Sequence, residues 1–290
     1  ASSLGQHHWF CTNRFVMDYS LYNGSKAAKG CYSSNRWDQA EWESNLENCR
    51  RDLDLLDRPQ QSIRPGKYRV YLAPAAVGEL LGTMSWSAFS QSAFKTGFPV
   101  MKKLFDRSAS WSPKISIREN FSLGLAPAFN SFGEVAPNEI DLIRQGQLIN
   151  LLTNSRTGKE YAIPSNQANV SESPRSLEMD PGGLEENDIL SELGTGLYLS
   201  NLHYCNWSDP ASARITGMTR YACFFVEGRQ IAGPISDMRF DVSLYDIWGT
   251  GLIALTKFRQ ILPETGTYSS RSFGGMHLPG MLIEGFTFTL

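Results

Sequence analysis

The feature that most constrains the fold is a series of short β-rich segments, separated by turn signals, in the part of the chain after residue 110. Short strands joined by tight turns pair mainly with antiparallel neighbours, so this series predicts a mostly antiparallel sheet. Glu227-Gly228 stands between two of the segments and predicts the tip of a hairpin. The predicted strands are Lys114–Ile117, Gln147–Thr153, Gly196–Leu202, Tyr221–Val226, Gln230–Ile235 and Leu282–Phe288.

Helical patterns occur mainly before these segments. Apolar residues recur at steps of three and four from Trp42 to Leu56, which is one face of a helix, and Asp38 precedes them as a candidate N-cap. A second helix is predicted over Ala75–Trp86, because Pro74 is suited to a helix start. Together the helices and strands predict an α+β protein, a mostly antiparallel sheet with a few helices.

A turn at Arg64-Pro65-Gly66 divides the chain into two regions, residues 1–64 and residues 65–290. The first region contains the amphipathic helix that starts after Asp38. The second contains the β-rich segments. Ser165–Gly183, which is polar and rich in proline and serine, is expected to be an exposed loop of the second region.

Composition excludes several functional classes. The 27 basic and 29 acidic residues give a net charge of −2, so no basic footprint for nucleic acid or an anionic membrane exists. No apolar run approaches the ~18 residues that a membrane-spanning helix needs. The five cysteines include no CxxC pair, which favours free thiols in a reducing, cytoplasmic compartment.

Histidine and cysteine are the residues with which a metal or nucleophile site would be built, and the chain has only four histidines. His203 and Cys205 are two apart on a predicted strand, where they would face the same side and could reach one zinc ion. This pair allows an autonomous hydrolase, either with zinc or with a cysteine nucleophile. The alternative is a core strand with one buried thiol, which the pattern favours.

Two further residues are candidates for ligand binding. Trp207 belongs to the aromatic segment Leu202–Trp207, which would form either a binding surface or part of the core. His277 lies in the glycine-rich stretch Gly274–Gly280, which is expected to be a loop before the last strand. His203, Cys205, Trp207 and His277 are therefore the predicted ligand-binding set.

Four stretches, taken in their order and spacing, resemble one family. The chain is similar to the TldD/PmbA proteins, which are described as modulators of DNA gyrase and as metallopeptidases. The resemblance covers roughly residues 65–290, the C-terminal portion of a family member. It implies that residues 1–64 are the tail of a truncated N-terminal α/β domain. The four stretches are Pro65–Pro74, Gly194–Leu199, Gly217–Tyr221 and Phe225–Ile235.

The resemblance also predicts which subunit type the chain represents. Metal-bearing TldD-type subunits carry an HExxxH helix and a late cysteine. Gly82 and Ser87 stand where the two histidines would be, and Thr83 stands where the glutamate would be. Tyr268–Ser272 matches the region of the cysteine and has no thiol. The chain looks like the TldE type, so the resemblance implies no catalytic residue, no metal and no cofactor in this chain.

What the resemblance implies about function follows from that subunit type. The chain would act in a TldD/TldE-like metallopeptidase assembly on unfolded peptides, as scaffold and peptide-binding surface. A TldD-type partner would carry zinc or another divalent metal, and this chain would be inactive alone. The alternative from another class is a homodimer that binds a peptide or a small ligand without catalysis. Neither reading involves nucleic acid or a membrane.

Overall fold

Thirteen strands and seven α-helices form the described part of the chain, which comprises residues 3, 5–268 and 270–289 of the computed structural model. The helices are α1 (Gln39–Leu55), α2 (Pro74–Met84), α3 (Gln91–Lys95), α4 (Lys102–Phe105), α5 (Ser155–Tyr161), α6 (Ile189–Leu193) and α7 (Leu244–Ile247). The strands are β1 (Phe15–Asn23), β2 (Lys26–Ser34), β3 (Gly66–Leu72), β4 (Ile117–Asn120), β5 (Glu139–Arg144), β6 (Gln147–Leu148), β7 (Ser176–Met179), β8 (Gly196–Asp209), β9 (Arg214–Glu227), β10 (Gln230–Pro234), β11 (Arg239–Ser243), β12 (Leu252–Pro263) and β13 (Gly275–Phe288).

A single large sheet organises residues 65–290, and its strand order is β10-β9-β8-β3-β13-β7-β4-β5-β6. Strand β11 pairs with β9 and β13, and β12 pairs with β13. Most neighbours are antiparallel, whereas β3 with β8 and β13 with β7 are parallel. The α+β architecture with a mostly antiparallel sheet is therefore confirmed.

Helix α2 packs on this sheet because its sequence is apolar on the face that meets it. Pro74 stands in the first helical turn, where a proline ring costs no hydrogen bond. Val77, Leu80, Leu81 and Met84 are fully buried on the sheet side and belong to the main core. The opposite side of α2 carries small or polar residues, and it faces a cleft.

The N-terminal region builds the other wall of that cleft. Strands β1 and β2 form a separate antiparallel hairpin, and α1 packs against it. Asp38 caps α1 as predicted, because its side chain accepts hydrogen bonds from the backbone N–H groups of Ala40 and Glu41. Aromatic rings of Tyr32 and Trp42 join the hairpin to the helix, with centroids 6.1 Å apart.

Several local predictions were wrong. Ser165–Gly183 contains the buried strand β7, in which every residue is buried on both faces, so the polar pattern hid it. The predicted strand Gln147–Thr153 shrinks to β6, and of Lys114–Ile117 only Ile117 belongs to a strand, as the first residue of β4. His277 lies within β13 rather than in a loop. The hairpin at Glu227-Gly228 is confirmed between β9 and β10.

In the described ranges no helix combines the length and the apolar character that crossing a membrane would require.

Candidate functional site

A cleft of about 670 Å³ lies between the N-terminal hairpin and the outer side of α2. Residues of α1, β1 and β2 form one wall, and α2 with β8 forms the opposite wall. The ends of β12 and β13 close the cleft. This arrangement brings chain segments that are far apart in sequence to one concave surface, which is the usual form of a ligand site.

The three residues that the resemblance aligns with the HExxxH motif lie in α2 or just after it, and none of them has a side chain that is a usual zinc ligand. Gly82 and Thr83 line the cleft, and a Cβ built on Gly82 would meet nothing within 4 Å. Thr83 donates its hydroxyl to the carbonyl of Glu79 at 3.0 Å. Ser87 lies beyond the helix end at Met84 with a φ of 88°, so it cannot share a helix face with Gly82.

The residues at these three positions do not fit a zinc ion, because zinc sites are built from histidine, cysteine and carboxylate side chains. In the described ranges, no group of three or more such side chains is close enough to hold a metal. The late region Tyr268–Ser272 has no thiol either. Ser269 of that region lies outside the described residues.

Acidic side chains outnumber basic ones in the cleft, with Asp18, Asp52, Glu79 and Glu264 against Lys29 and Arg175. Burial raises the pKa of Asp52 to about 6, and Arg51 opposes the shift. Burial also raises the pKa of Glu79, and the Lys29 ammonium opposes it. Lys29 itself pairs with Asp18, with Nζ and Oδ1 3.1 Å apart. The cleft therefore favours neutral or cationic groups over anions.

Two of the aromatic rings that line the same cleft are largely exposed. Trp86 and Phe273 line it, and they are 55% and 57% exposed. Exposed aromatic rings beside polar groups are typical of surfaces that hold peptides, because a flat ring contacts either an apolar side chain or the stem of a charged one. The cleft therefore offers a peptide both apolar rings and carboxylates.

The sequence analysis missed Glu79 and Asp52 as cleft residues. Glu79 gave a usable signal, because it is the only charged residue in an otherwise apolar or small helix. Asp52 gave none, since acidic residues are frequent along α1. Its place in the cleft depends on how α1 packs across the chain.

Of the predicted ligand-binding residues, only Cys205 lines the cleft. Burial, and then the charge of Glu79, raise the pKa of its thiol to about 12. Tyr204 has a φ of 51°, and the pairing of β8 with β9 shifts between His203 and Asn206. This bulge interrupts the strict alternation on which the His203–Cys205 zinc hypothesis depended.

The other three residues lie elsewhere. His203 is partly exposed beside Tyr204, with ring centroids 4.0 Å apart, and burial followed by the charge of Arg220 lowers its pKa. Trp207 packs against Phe98, with centroids 6.1 Å apart. His277 Nδ1 lies 3.4 Å from Glu178 Oε1 in the sheet, and burial is the main cause that lowers its pKa. The structure therefore does not assemble the four residues into one site.

Comparisons with known proteins identify the family and the fold of the chain. The family model described as PmbA/TldA metallopeptidase C-terminal domain matches residues 65–290. No curated protein sequence matches the chain. Among solved structures, TldE from Thermococcus kodakarensis has a TM-score of 0.74 at 14% identity, over 96% of this chain and 62% of that one.

Two proposed modulators of DNA gyrase share the fold as well. The protein from Thermotoga maritima has a TM-score of 0.73 at 14% identity, over 95% of this chain and 62% of that one. The protein from Bacteroides thetaiotaomicron has a TM-score of 0.72 at 17% identity, over 95% of this chain and 59% of that one. At these identities the likeness concerns the fold, and the chain spans about three fifths of the length of each structure.

Proposed function

Since this chain belongs to the PmbA/TldA metallopeptidase family through residues 65–290, we propose that it is the subunit without a metal in a TldD/TldE-type peptidase assembly. The chain supplies one wall of a peptide-binding cleft, and a TldD-type partner in the cytoplasm supplies zinc or another divalent metal. Alone, this chain does not hydrolyse peptides.

The observation that carries the proposal is the chemistry of α2 where it borders the cleft. A zinc peptidase needs histidine or carboxylate ligands and a general base beside the substrate. Gly82 and Thr83 line the cleft at the matching positions and supply neither. Gly82 instead leaves open space above the helix, because nothing lies within 4 Å of its Cβ position.

The walls of the cleft support a role in peptide binding. A peptide chain can donate and accept backbone hydrogen bonds along a groove that is lined by polar groups, while its side chains contact aromatic rings. The cleft of about 670 Å³ is within the size range of small-ligand sites, so it holds only a few residues of an extended peptide. The carboxyls of Asp52 and Glu79 favour peptides with neutral or basic side chains.

The test is reconstitution with an HExxxH-bearing family member from the same source. We expect a stable complex in size-exclusion chromatography, and cleavage of an unfolded peptide by the complex but not by this chain alone. Elemental analysis should find zinc in the partner and less than about 0.1 ion per copy of this chain. One zinc per copy with cleavage by the chain alone, or a homodimer that never joins the partner, contradicts the proposal.

A substitution in the cleft makes this test specific. Gly82→Phe fills the open space above α2, so it should reduce cleavage by the complex at least about tenfold without weakening assembly. Gly183→Phe is the matched control, because Gly183 is exposed, lies outside the cleft and also has nothing within 4 Å of its Cβ position. Equal cleavage by both variants would show that the cleft does not hold the substrate.

A further inference from the structure

A second cavity, of about 760 Å³, lies at the β6 end of the large sheet. Strand β6 and the residues after it form one side of the cavity, and α4 with the turn that follows forms another. Among the described residues, none lines both this cavity and the cleft beside α2. The cavity is therefore a separate concave surface, and the cleft chemistry does not account for it.

Four apolar side chains line part of this cavity. Leu104 and Leu151 line it as buried residues, and Phe105 and Ile149 line it with 58% and 43% of their surfaces exposed. The Phe105 ring is held in place by Phe94, since their centroids are 4.9 Å apart. An exposed phenyl ring beside an exposed isoleucine in a concave surface is typical of a place where another apolar group binds.

One positive charge lines this cavity, among polar and apolar side chains. Arg107 is the only charged residue among the described residues that line the cavity. Its guanidinium has no hydrogen-bond or ion-pair partner in the described part of the chain, whereas the nearby Lys102 pairs with Asp106 at 2.6 Å. A guanidinium presents a planar fork of N–H donors that matches a carboxylate. The cavity therefore suits an occupant with a negative charge and an apolar body.

The backbone of Arg107 adds a second observation. Arg107 follows α4 with a φ of 57°, and its N–H donates to the Leu104 carbonyl while Ser108 donates to Lys103. This is the Schellman arrangement at a helix end, in which glycine is the favoured residue at the left-handed position. An arginine here is less favourable for the backbone than glycine, so its side chain can be removed by a glycine substitution without cost to the backbone.

The rim of the cavity offers hydrogen bonds to a peptide backbone. In the described part of the chain the two-residue strand β6 is the last strand of its sheet and pairs only with β5, so its short outer edge is open. The side-chain amides of Gln91 and Gln147 line the cavity and have no partner in the described part of the chain. Open strand edges are surfaces on which extended peptides pair.

We propose that this cavity binds the C-terminal end of an extended peptide whose last residue is apolar. Arg107 pairs with the α-carboxylate, Phe105 and Ile149 contact the last side chain, and the edge of β6 pairs with the peptide backbone. A fatty acid could pair with the guanidinium and contact the apolar side chains, but it would leave the strand edge and the two amides without partners. This proposal does not depend on whether the chain assembles with a metal-bearing subunit.

The test uses the full chain alone and measures binding, not cleavage. The probe is a fluorescein-labelled Ala-Ala-Leu-Leu peptide with a free C-terminus, followed by fluorescence anisotropy. We expect saturable binding that is at least tenfold weaker for the same peptide with a C-terminal amide. Octanoate should compete only weakly. Equal affinity for the amide, or competition by octanoate as strong as by unlabelled peptide, overturns the proposal.

Two substitutions of the same kind separate a binding role from a structural one. Arg107→Gly should weaken binding at least tenfold while the Tm stays equal or rises, because glycine suits the left-handed position. Arg229→Gly is the matched control, since Arg229 also has a positive φ, of 71°, and lies in the β9–β10 turn outside the cavity. Unchanged affinity for Arg107→Gly, or an equal loss for Arg229→Gly, overturns the proposal.

A third variant distinguishes the two concave surfaces. Gly82→Phe fills the cleft beside α2 and leaves the second cavity untouched. We expect it to keep the preference for the free C-terminus over the C-terminal amide, because Arg107 of the second cavity makes that preference. Loss of the preference in Gly82→Phe would place the carboxylate in the cleft and would overturn this proposal.

Discussion

Glu178 Oε1 lies 2.7 Å from Nη1 of Arg259, and this contact joins β7 to β12 across the intervening strand β13. The other carboxylate oxygen accepts from Asn120 at 2.7 Å and lies 3.4 Å from Arg118. Burial opposes ionisation of Glu178, but these hydrogen bonds and the two arginine charges outweigh it and lower its pKa. The ionised carboxylate is thus part of the folded structure.

Glu178→Ala should lower the free energy of unfolding by about 3 kcal/mol, because it leaves partly buried arginine groups without their carboxylate. Urea unfolding at pH 7 measures this change. The control is Lys102→Ala, which removes the exposed ion pair between Lys102 and Asp106. That pair should contribute less than about 0.5 kcal/mol to the free energy of unfolding. Similar losses for the two variants would contradict the assignment.

Glu119 should make the protein less stable as the pH rises from about 4.5 to about 7. Its side chain is 2% exposed, and burial raises its pKa from 4.5 to about 7, although the Arg175 and Ser176 N–H groups donate to it. Within that window the folded protein keeps a proton that the unfolded chain releases, so the free energy of unfolding falls with pH.

Glu119→Gln removes the ionisable carboxyl group but keeps one oxygen that can accept hydrogen bonds from the two backbone N–H groups. The variant should match the parent near pH 4.5 and exceed its stability at pH 8 by up to about 3 kcal/mol. Urea unfolding at several pH values between these limits measures the difference. Two stability curves that stay parallel from pH 4.5 to 8 would show that Glu119 ionises normally in the folded protein.

Gly82→Ala should stabilise the protein by about 0.5–1 kcal/mol, because alanine restricts the unfolded chain and Gly82 lies within α2 with free space around its Cβ position. Gly78→Ala is the control on the same helix. Its Cβ would lie 2.9 Å from Leu262 Cδ1, which must move, so it should gain less or lose stability. Thermal unfolding of both variants measures the contrast, and an equal gain would contradict the packing described for α2.

Thiol labelling should find one fast cysteine among five. Cys11 is exposed, whereas the other four are partly or fully buried. Burial is the main cause that raises the pKa of Cys31 and Cys223 to about 11 and of Cys205 to about 12, and it raises that of Cys49 as well. Because the thiolate is the reactive form, these four should react with a disulfide reagent only when the protein unfolds.

Cys11→Ser should remove the fast phase and leave the slow one. If a fast thiol remained in Cys11→Ser and disappeared when Cys205→Ser was added, the hypothesis of a cysteine nucleophile in this chain would be revived.

The sequence located the elements whose residues carry a strong local signal. Asp38 with the apolar steps after it predicted α1, Pro74 predicted the start of α2, and Glu227-Gly228 predicted a hairpin. It failed where contacts from outside the segment decide the structure. Strand β7 was missed because it contains the charged residue Glu178, which can be buried there only with its arginine and asparagine partners. Local patterns do not reveal such partners.

Three of the residues that line the cleft, Gly82, Thr83 and Cys205, were named from the sequence, and ligand binding by Cys205 stays a prediction. The grouping of Cys205 with His203 depended on strict strand alternation, and the bulge at Tyr204 breaks that alternation. Asp52 and Glu79 line the same cleft only because the N-terminal hairpin and α1 pack opposite α2.

The sequence by itself therefore determined the α+β class, the strongest helices and turns, and the family to which residues 65–290 belong. These depend on the preferences of neighbouring residues and on motif spacing, both of which can be read along the chain. Only the tertiary structure decided which side chains line the cleft. It also decided that Arg107 is the one charged residue, among those that the structure describes, at the second cavity. Both depend on contacts between segments that are distant in sequence, and a local pattern does not specify those contacts.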